Sequence, residues 1–203
     1  MNIDDIMRAA PVIPVLVLEG DRDWAALAET FVAAGLPVLE VTLRTPAAVG
    51  AIEAMSKVEG AIVGAGTVLN EKHLNQALAA GSKFIVSPGL TESLGRAAIA
   101  SGTAFLPGVA TAGDLMRGID LGLSHFKFFP AEASGGIAAL QALSAPFFDA
   151  RFCPTGGIKA ETAADWLALP SVLCVGGSWF IQSGDFDLDA IGTRARAAAA
   201  LAR

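Results

Sequence analysis

The chain has 203 residues, of which 53% are hydrophobic and 17% charged, and it carries a net charge of −6. That length suits one domain, residues 1–203, and the apolar content supplies a large core and excludes a disordered chain. The acidic balance and the lack of any Lys/Arg run argue against nucleic acid as a partner, and no apolar run reaches the roughly 18 residues a membrane helix needs.

In chain order, residues 2 to 9 read as a short leading helix. Residues 12 to 18 are an apolar strand weakened by Pro14, since proline does not suit a central strand. Residues 22 to 34 have helical spacing and stop at Gly35. A strand at 37 to 43 and a helix at 45 to 57 follow. Then come a strand at Ala61 to Ala65, a helix at Glu71 to Ala80 closed by Gly81, and a strand at Phe84 to Ser87. A helix spans Glu92 to Ala100, with a strand at Thr103 to Leu106 and a helix at 112 to 120. The sixth strand is Ser124 to Phe128, followed by a helix from Gly136 to Leu143. The seventh is Arg151 to Cys153, with a helix at 160 to 168. The eighth is Val172 to Val175, and an alanine-rich helix at about 188 to 202 ends the chain.

Eight strand–helix units imply parallel strands and right-handed crossovers, and eight such units close most naturally into a (β/α)8 TIM barrel. A doubly wound sheet is the alternative, but its Gly-x-Gly-x-x-Gly turn is missing after the first strand. Cys153 and Cys174 lie in apolar strand-like runs and read as buried reduced thiols. Asp4 and Asp5 before a short apolar run argue against a secretion signal, so a cytoplasmic location is expected.

The sixth strand holds an unusual residue. Lys127 sits in His125-Phe-Lys-Phe-Phe-Pro-Ala-Glu132 and, alone among the five lysines, has apolar neighbours on both sides. A buried ammonium is costly unless it is paired or the site favours the neutral amine, and a neutral lysine amine attacks ketones to form Schiff bases. The plainer reading is a lysine that snorkels or pairs with a buried acid. Strand alternation turns Phe126 and Phe128 toward the helices, and His125, Lys127 and Phe129 toward the axis. By the same rule Leu39, Val41 and Leu43 face the helices, while Glu40, Thr42 and Arg44 face inward or the rim. Even-numbered strands share layers in such a barrel, so Glu40 and Lys127 are expected to meet, with Arg44 one pleat nearer the mouth.

The strand ends add candidates. Gly64-Ala-Gly-Thr67, Ser87-Pro-Gly89 and Pro107-Gly108 read as tight turns after the third, fourth and fifth strands. Pro154-Thr-Gly-Gly157 and Gly176-Gly-Ser-Trp179 follow the seventh and eighth, where barrels commonly hold a phosphate on backbone N–H groups. His73 and His125 stand far apart with no ligand-spaced partners, so no metal site is expected.

Glu40-Val-Thr-Leu-Arg44, Gly64-Ala-Gly-Thr67, Ser87-Pro-Gly89, Phe126-Lys-Phe-Phe-Pro-Ala-Glu132, Pro154-Thr-Gly-Gly157 and Gly176-Gly-Ser-Trp179 together resemble the 2-keto-3-deoxy-6-phosphogluconate aldolase family. The resemblance spans nearly the whole chain and is most specific at Glu40–Arg44 and Lys127–Glu132. It implies a class I aldolase with no metal and no cofactor, assembled as a homotrimer of barrels. It implies cleavage of the phosphorylated keto acid to pyruvate and glyceraldehyde 3-phosphate in the Entner–Doudoroff pathway. Cleavage of 4-hydroxy-2-oxoglutarate or of 2-dehydro-3-deoxy-6-phosphogalactonate stays as the alternative. The resemblance makes Lys127 the Schiff-base lysine and Glu40 the general acid/base. Arg44 and Thr67 then hold the pyruvate carboxylate, Pro88 and Phe129 shape the pocket, and Thr155 meets the substrate hydroxyls. Gly156, Gly157, Gly177 and Ser178 hold the phosphate. Two other classes stay open: another phosphate-binding barrel enzyme, such as an epimerase or synthase, in which Lys127 forms no imine, and an inactive barrel that only binds. The intact Glu40/Lys127 pair argues against the second.

Overall fold

Residues 1–181 and 186–202 are described by the computed structural model. After a leading helix α1 (Ile3–Arg8), strands and helices alternate: β1 (Val12–Leu16), α2 (Trp24–Ala33), β2 (Val38–Thr42), α3 (Ala48–Met55), β3 (Ile62–Gly66), α4 (Glu71–Ala79), β4 (Phe84–Val86) and α5 (Glu92–Ala100). The second half holds β5 (Ala104–Leu106), β6 (Gly108–Val109), α6 (Ala112–Asp120), β7 (His125–Phe128), α7 (Gly136–Ser144), β8 (Arg151–Pro154), α8 (Ala163–Leu167), β9 (Val175–Gly177) and α9 (Leu188–Ala199). Short polar side chains start the helices. Asp23, Asn70 and Thr91 each accept an N–H from the first turn of α2, α4 and α5, satisfying donors that have no partner inside the helix. Gly35 ends α2 at φ +89°, a conformation that a side chain would strain.

All strand pairs among the described residues are parallel. They form a six-stranded sheet in the order β5-β4-β3-β2-β1-β9 and a three-stranded sheet β6-β7-β8. Single parallel bridges, Phe152↔Val172 and Thr155↔Gly176, join β8 to the β9 side, and only Pro107 separates β5 from β6. The result is an α/β fold on a curled parallel sheet, covered on both faces. That is why β1 and β2 are buried at every position and read as apolar runs.

Two cores follow from the alternation of side chains. Leu39, Val41, Val63, Ala65, Phe126 and Phe128 face outward and pack under the helices. Ile13, Val38, Phe84, Val86, Leu106, Cys153 and Cys174 fill the inner face, where Ile6 and Met7 of α1 join them. Each such buried side chain contributes about 1.5–3 kcal/mol. Truncating one large member, Phe84→Ala, should cost about 3–5 kcal/mol, because the inner face has little room to collapse. Both cysteines are buried and unbridged.

Several expectations need correction. Pro14 stands in a central strand after all: Val12, Ile13 and Pro14 register with β9, and Val15 and Leu16 with β2, so the proline lies where the pairing passes from one neighbour to the other. Gly66 is strand, not turn, and continues the strand expected to end at Ala65; the inner face of Gly64 and Gly66 is filled by neighbours, and a Cβ on Gly64 would fall 2.5 Å from the Phe84 ring. The last strand is Val175–Gly177, starting three residues and ending two residues later than expected. Its glycine pair belongs to the strand because Thr155 and the Trp179 ring occupy the places of the two absent side chains. Gly108 likewise opens a strand. It passes so close to the Pro88 carbonyl, 2.2 Å from a Cβ if it had one, that no side chain fits.

Candidate active site

Parallel strands put all their C-terminal ends on one side of the sheet, and the predicted site residues gather there. Glu40 comes from β2 and Lys127 from β7, both pointing to the inner face and only 3% and 5% exposed. Lys127 Nζ donates to Glu40 Oε1 at 3.0 Å and to Oε2 at 3.3 Å. The amine also lies 5.3 Å from the centre of the Phe129 ring, which begins the loop after β7. Phe126 and Phe128 turn the other way, into the core under the helices, as alternation requires. Thr42, one pleat beyond Glu40, donates its hydroxyl to Leu16 O at 2.9 Å and ties β2 to β1.

Just past the strand ends, Arg44 Nε donates to Thr67 Oγ1 at 3.1 Å. Thr67 has φ +58°, and it alone among the described non-glycine residues has a positive φ. A β-branched residue there is strained by roughly 1–3 kcal/mol, which marks a place where the chain is held for another purpose. Together the threonine hydroxyl and the guanidinium present donors to one small region, a suitable seat for a carboxylate.

On the opposite wall, the segment after the lysine strand continues alongside the one after β8. Ala131 N–H bonds Thr155 O at 2.8 Å and Glu132 N–H bonds Gly156 O at 3.0 Å. Thr155 is buried, and its hydroxyl faces Gly176 of β9, where a Cβ would sit 2.3 Å away. Gly156 and Gly157 have φ of +101° and +83°, the left-handed conformation that turns successive N–H groups toward one side and can cradle an anion. Gly177 ends β9, and Ser178 follows it, exposed at the same rim. Pro88 follows β4, with its carbonyl against Gly108.

His125 lies elsewhere. It stands at the N-terminal start of β7, and its Nε2 lies 3.0 Å from Asp4 Oδ1 of α1. Two supporting positions were not singled out from the sequence. Gly66 leaves the space that Glu40 fills, and Trp166 Nε1 of α8 donates to Glu132 Oε1 at 3.1 Å while Glu132 packs over Gly157. The glycine was visible inside Gly64-Ala-Gly-Thr67, but its neighbour on the adjacent strand was not. Among the described residues, no group of three or more His, Cys, Asp or Glu side chains is placed to hold a metal ion, and no helix is long and apolar enough to cross a membrane.

The arrangement is a buried amine beside a carboxylate, an arginine bonded to a threonine, and two left-handed glycines, all toward the C-terminal ends of the strands. Residues 3–193 match the family described as "Aldolase: KDPG and KHG aldolase". The 2-dehydro-3-deoxy-phosphogluconate aldolase of Zymomonas mobilis is 55% identical over 202 residues, covering 100% of this chain and 97% of that protein. The crystal structure of the 2-keto-3-deoxy-6-phosphogluconate aldolase of Zymomonas mobilis ZM4 with 3-phosphoglycerate superposes with a TM-score of 0.97 at 56% identity, covering 99% and 96% of the two chains. The aldolase of Legionella pneumophila, solved with pyruvate captured as a covalent carbinolamine, superposes with a TM-score of 0.93 at 41% identity, covering 97% and 98%.

Proposed function

The chain belongs to the KDPG and KHG aldolase family, and from that premise we propose that it is a class I aldolase cleaving 2-dehydro-3-deoxy-6-phosphogluconate to pyruvate and glyceraldehyde 3-phosphate, with Lys127 as nucleophile and Glu40 as acid and base. The observation that carries the assignment of roles is the buried pair itself: Lys127 Nζ within 3.0 Å of Glu40 Oε1, at the strand ends of an otherwise apolar interior. The carbinolamine in the Legionella relative supports the same chemistry.

The amine adds to the C2 ketone, giving a carbinolamine that loses water to a protonated imine. Glu40 takes the C4 hydroxyl proton, the C3–C4 bond breaks, and its electron pair moves into the imine. Glyceraldehyde 3-phosphate leaves, and the enamine of pyruvate stays on the lysine. Glu40 returns its proton to C3, and water releases pyruvate and the free amine. Arg44 and Thr67 hold the keto-acid carboxylate and so fix C2 over Lys127, with Pro88 and Phe129 as walls and Thr155 on the substrate hydroxyls. Gly156, Gly157, Gly177 and Ser178 hold the phosphate; the 3-phosphoglycerate in the Zymomonas relative supports a phosphate-bearing ligand. Neither metal nor organic cofactor enters these steps.

The same reading closes the curled sheet into a single (β/α)8 barrel formed by one domain, residues 1–203. β5 and β6 are then two halves of one strand, and the β8–β9 bridges are the seam. It includes a homotrimer in the cytoplasm. The family description couples two substrates, so 4-hydroxy-2-oxoglutarate is the second reading, and a structural relative described as KDPGal keeps 2-dehydro-3-deoxy-6-phosphogalactonate as a further one. The test is pyruvate plus borohydride followed by peptide mapping. One reduced pyruvyl group on Lys127, with activity unaffected by chelators, is expected. Labelling of another lysine, or a requirement for metal, would sink the mechanism.

A further inference from the structure

The position against which the Glu40 carboxylate stands has no side chain at all. A Cβ built on Gly66 falls 2.2 Å from Glu40 Oε1, 2.7 Å from its Cγ and 2.8 Å from its Cδ. Gly66 ends β3 beside Thr42 in register, and Leu43 N–H bonds its carbonyl at 2.8 Å. Its φ lies outside the left-handed region, so the backbone there would accept any residue. The glycine is therefore explained by space and not by conformation. Gly64, two residues earlier on the same face, has a different occupant, the Phe84 ring.

We propose that Gly66 is the positioning residue for Glu40: the missing side chain is the volume in which the carboxylate stands facing Lys127. The inference rests on the reading of Glu40 as the proton-transfer group. The overlap reaches Cγ and Cδ, so turning the carboxylate about its last bond does not relieve it. The side chain from Cγ outward has to swing away, and Glu40 has little free space around it, with 3% exposure. Such a swing breaks the contacts of 3.0 and 3.3 Å to Lys127. Because the atoms that must move belong to the far end of one flexible side chain, the fold tolerates the change while the proton-transfer geometry does not.

The experiment is a double-mutant cycle on the full chain. Gly66→Ala should melt near the parent and lose about 10²-fold in kcat, the cost of a misplacement of roughly 1 Å at a reacting group. Exchange of the pyruvate methyl protons with deuterated water should slow with it, because enamine protonation uses the same carboxylate. Glu40→Ala removes the clashing atoms, so Gly66→Ala added to it should cost less than about twofold further. Two independent losses would instead multiply. Multiplied losses, or parent-like turnover of Gly66→Ala, overturn the inference while leaving Glu40 as the acid/base. Normal turnover of Glu40→Ala overturns the acid/base reading and the inference with it. If Gly66→Ala does not fold, the Gly66→Ala/Glu40→Ala protein should, and its failure to fold also overturns the inference.

Discussion

At the scale of single residues, charge and strain concentrate where the chemistry is. Glu40 and Lys127 meet inside a face otherwise lined by Val38, Phe84 and Val86. Breaking a buried pair by removing one member leaves an uncompensated charge, so the substitution that isolates the proton transfer itself keeps shape and hydrogen bonding. Glu40→Gln should fold, form the pyruvate imine slowly and lose roughly 10²–10⁴ in turnover, the usual range for a missing general acid/base. Turnover close to the parent would assign the proton transfers to another group. Thr67 offers the opposite test. Thr67→Gly removes backbone strain of about 1–3 kcal/mol, while glycine's added freedom in the unfolded chain returns about 0.4–1 kcal/mol. The melting temperature should hold or rise, and KM should rise because Arg44 loses its partner at 3.1 Å. A lower melting temperature with unchanged KM would mean that the threonine is kept for packing.

Among the elements, α1 shows how a short helix is held. Its six residues are too few to be stable alone, so tertiary contacts must support it. Ile6 and Met7 are fully buried against the inner core, and Asp4 bonds both Arg8 and His125, at 2.8 and 3.0 Å. The apolar contacts dominate. Ile6→Ala should cost about 2–5 kcal/mol, and Asp4→Ala at most about 1 kcal/mol, because the acid is partly exposed and screened. The small term has a distinctive pH dependence. The hydrogen bond from Arg8, and then that from His125, holds the Asp4 carboxyl below its ordinary value of 3.8. A lowered folded value means the contribution is complete above the unfolded value and is lost as pH falls through the folded one. Urea unfolding should therefore separate parent from Asp4→Ala at pH 7 and separate them by less at pH 3, below the ordinary value of 3.8. An equal gap at both pH values would locate the effect in packing.

At the scale of the whole molecule, the site is assembled from both halves of the chain. β2 brings Glu40, β7 brings Lys127, and Gly156, Gly157 and Gly177 lie after β8 and at the end of β9; on the proposed reading the phosphate handle is therefore remote from the bond that breaks. Remote binding energy can still orient C2 toward Lys127. Ser178→Ala should weaken kcat/KM for the phosphorylated keto acid by about one to two kcal/mol, on the scale of a hydrogen bond to a charged group. Cleavage of 4-hydroxy-2-oxoglutarate should barely change, since that shorter substrate has no phosphate to fill the cradle. Equal losses on both would make Ser178 a general support of the rim. Light scattering should give three times the mass of one chain, and a monomer would remove the trimer from the reading.

What the sequence by itself determined is whatever depends on local period and residue chemistry. Alternation along Leu39 to Leu43 and Phe126 to Phe129 was enough to send Glu40 and Lys127 to one face, and glycines such as Gly35 and Gly81 marked helix ends. The motifs from Glu40 to Trp179 were enough to place the chain in its family. What only the tertiary structure decided is whatever depends on a neighbour distant in sequence. Gly66, Gly176 and Gly177 look like turn residues because a glycine carries no record of what fills its space. They are strand residues with Glu40, Thr155 and Trp179 in that space. The strain at Thr67 and the bond from His125 to Asp4 were hidden for the same reason, since each follows from where packing puts the chain and not from the propensity of the residue.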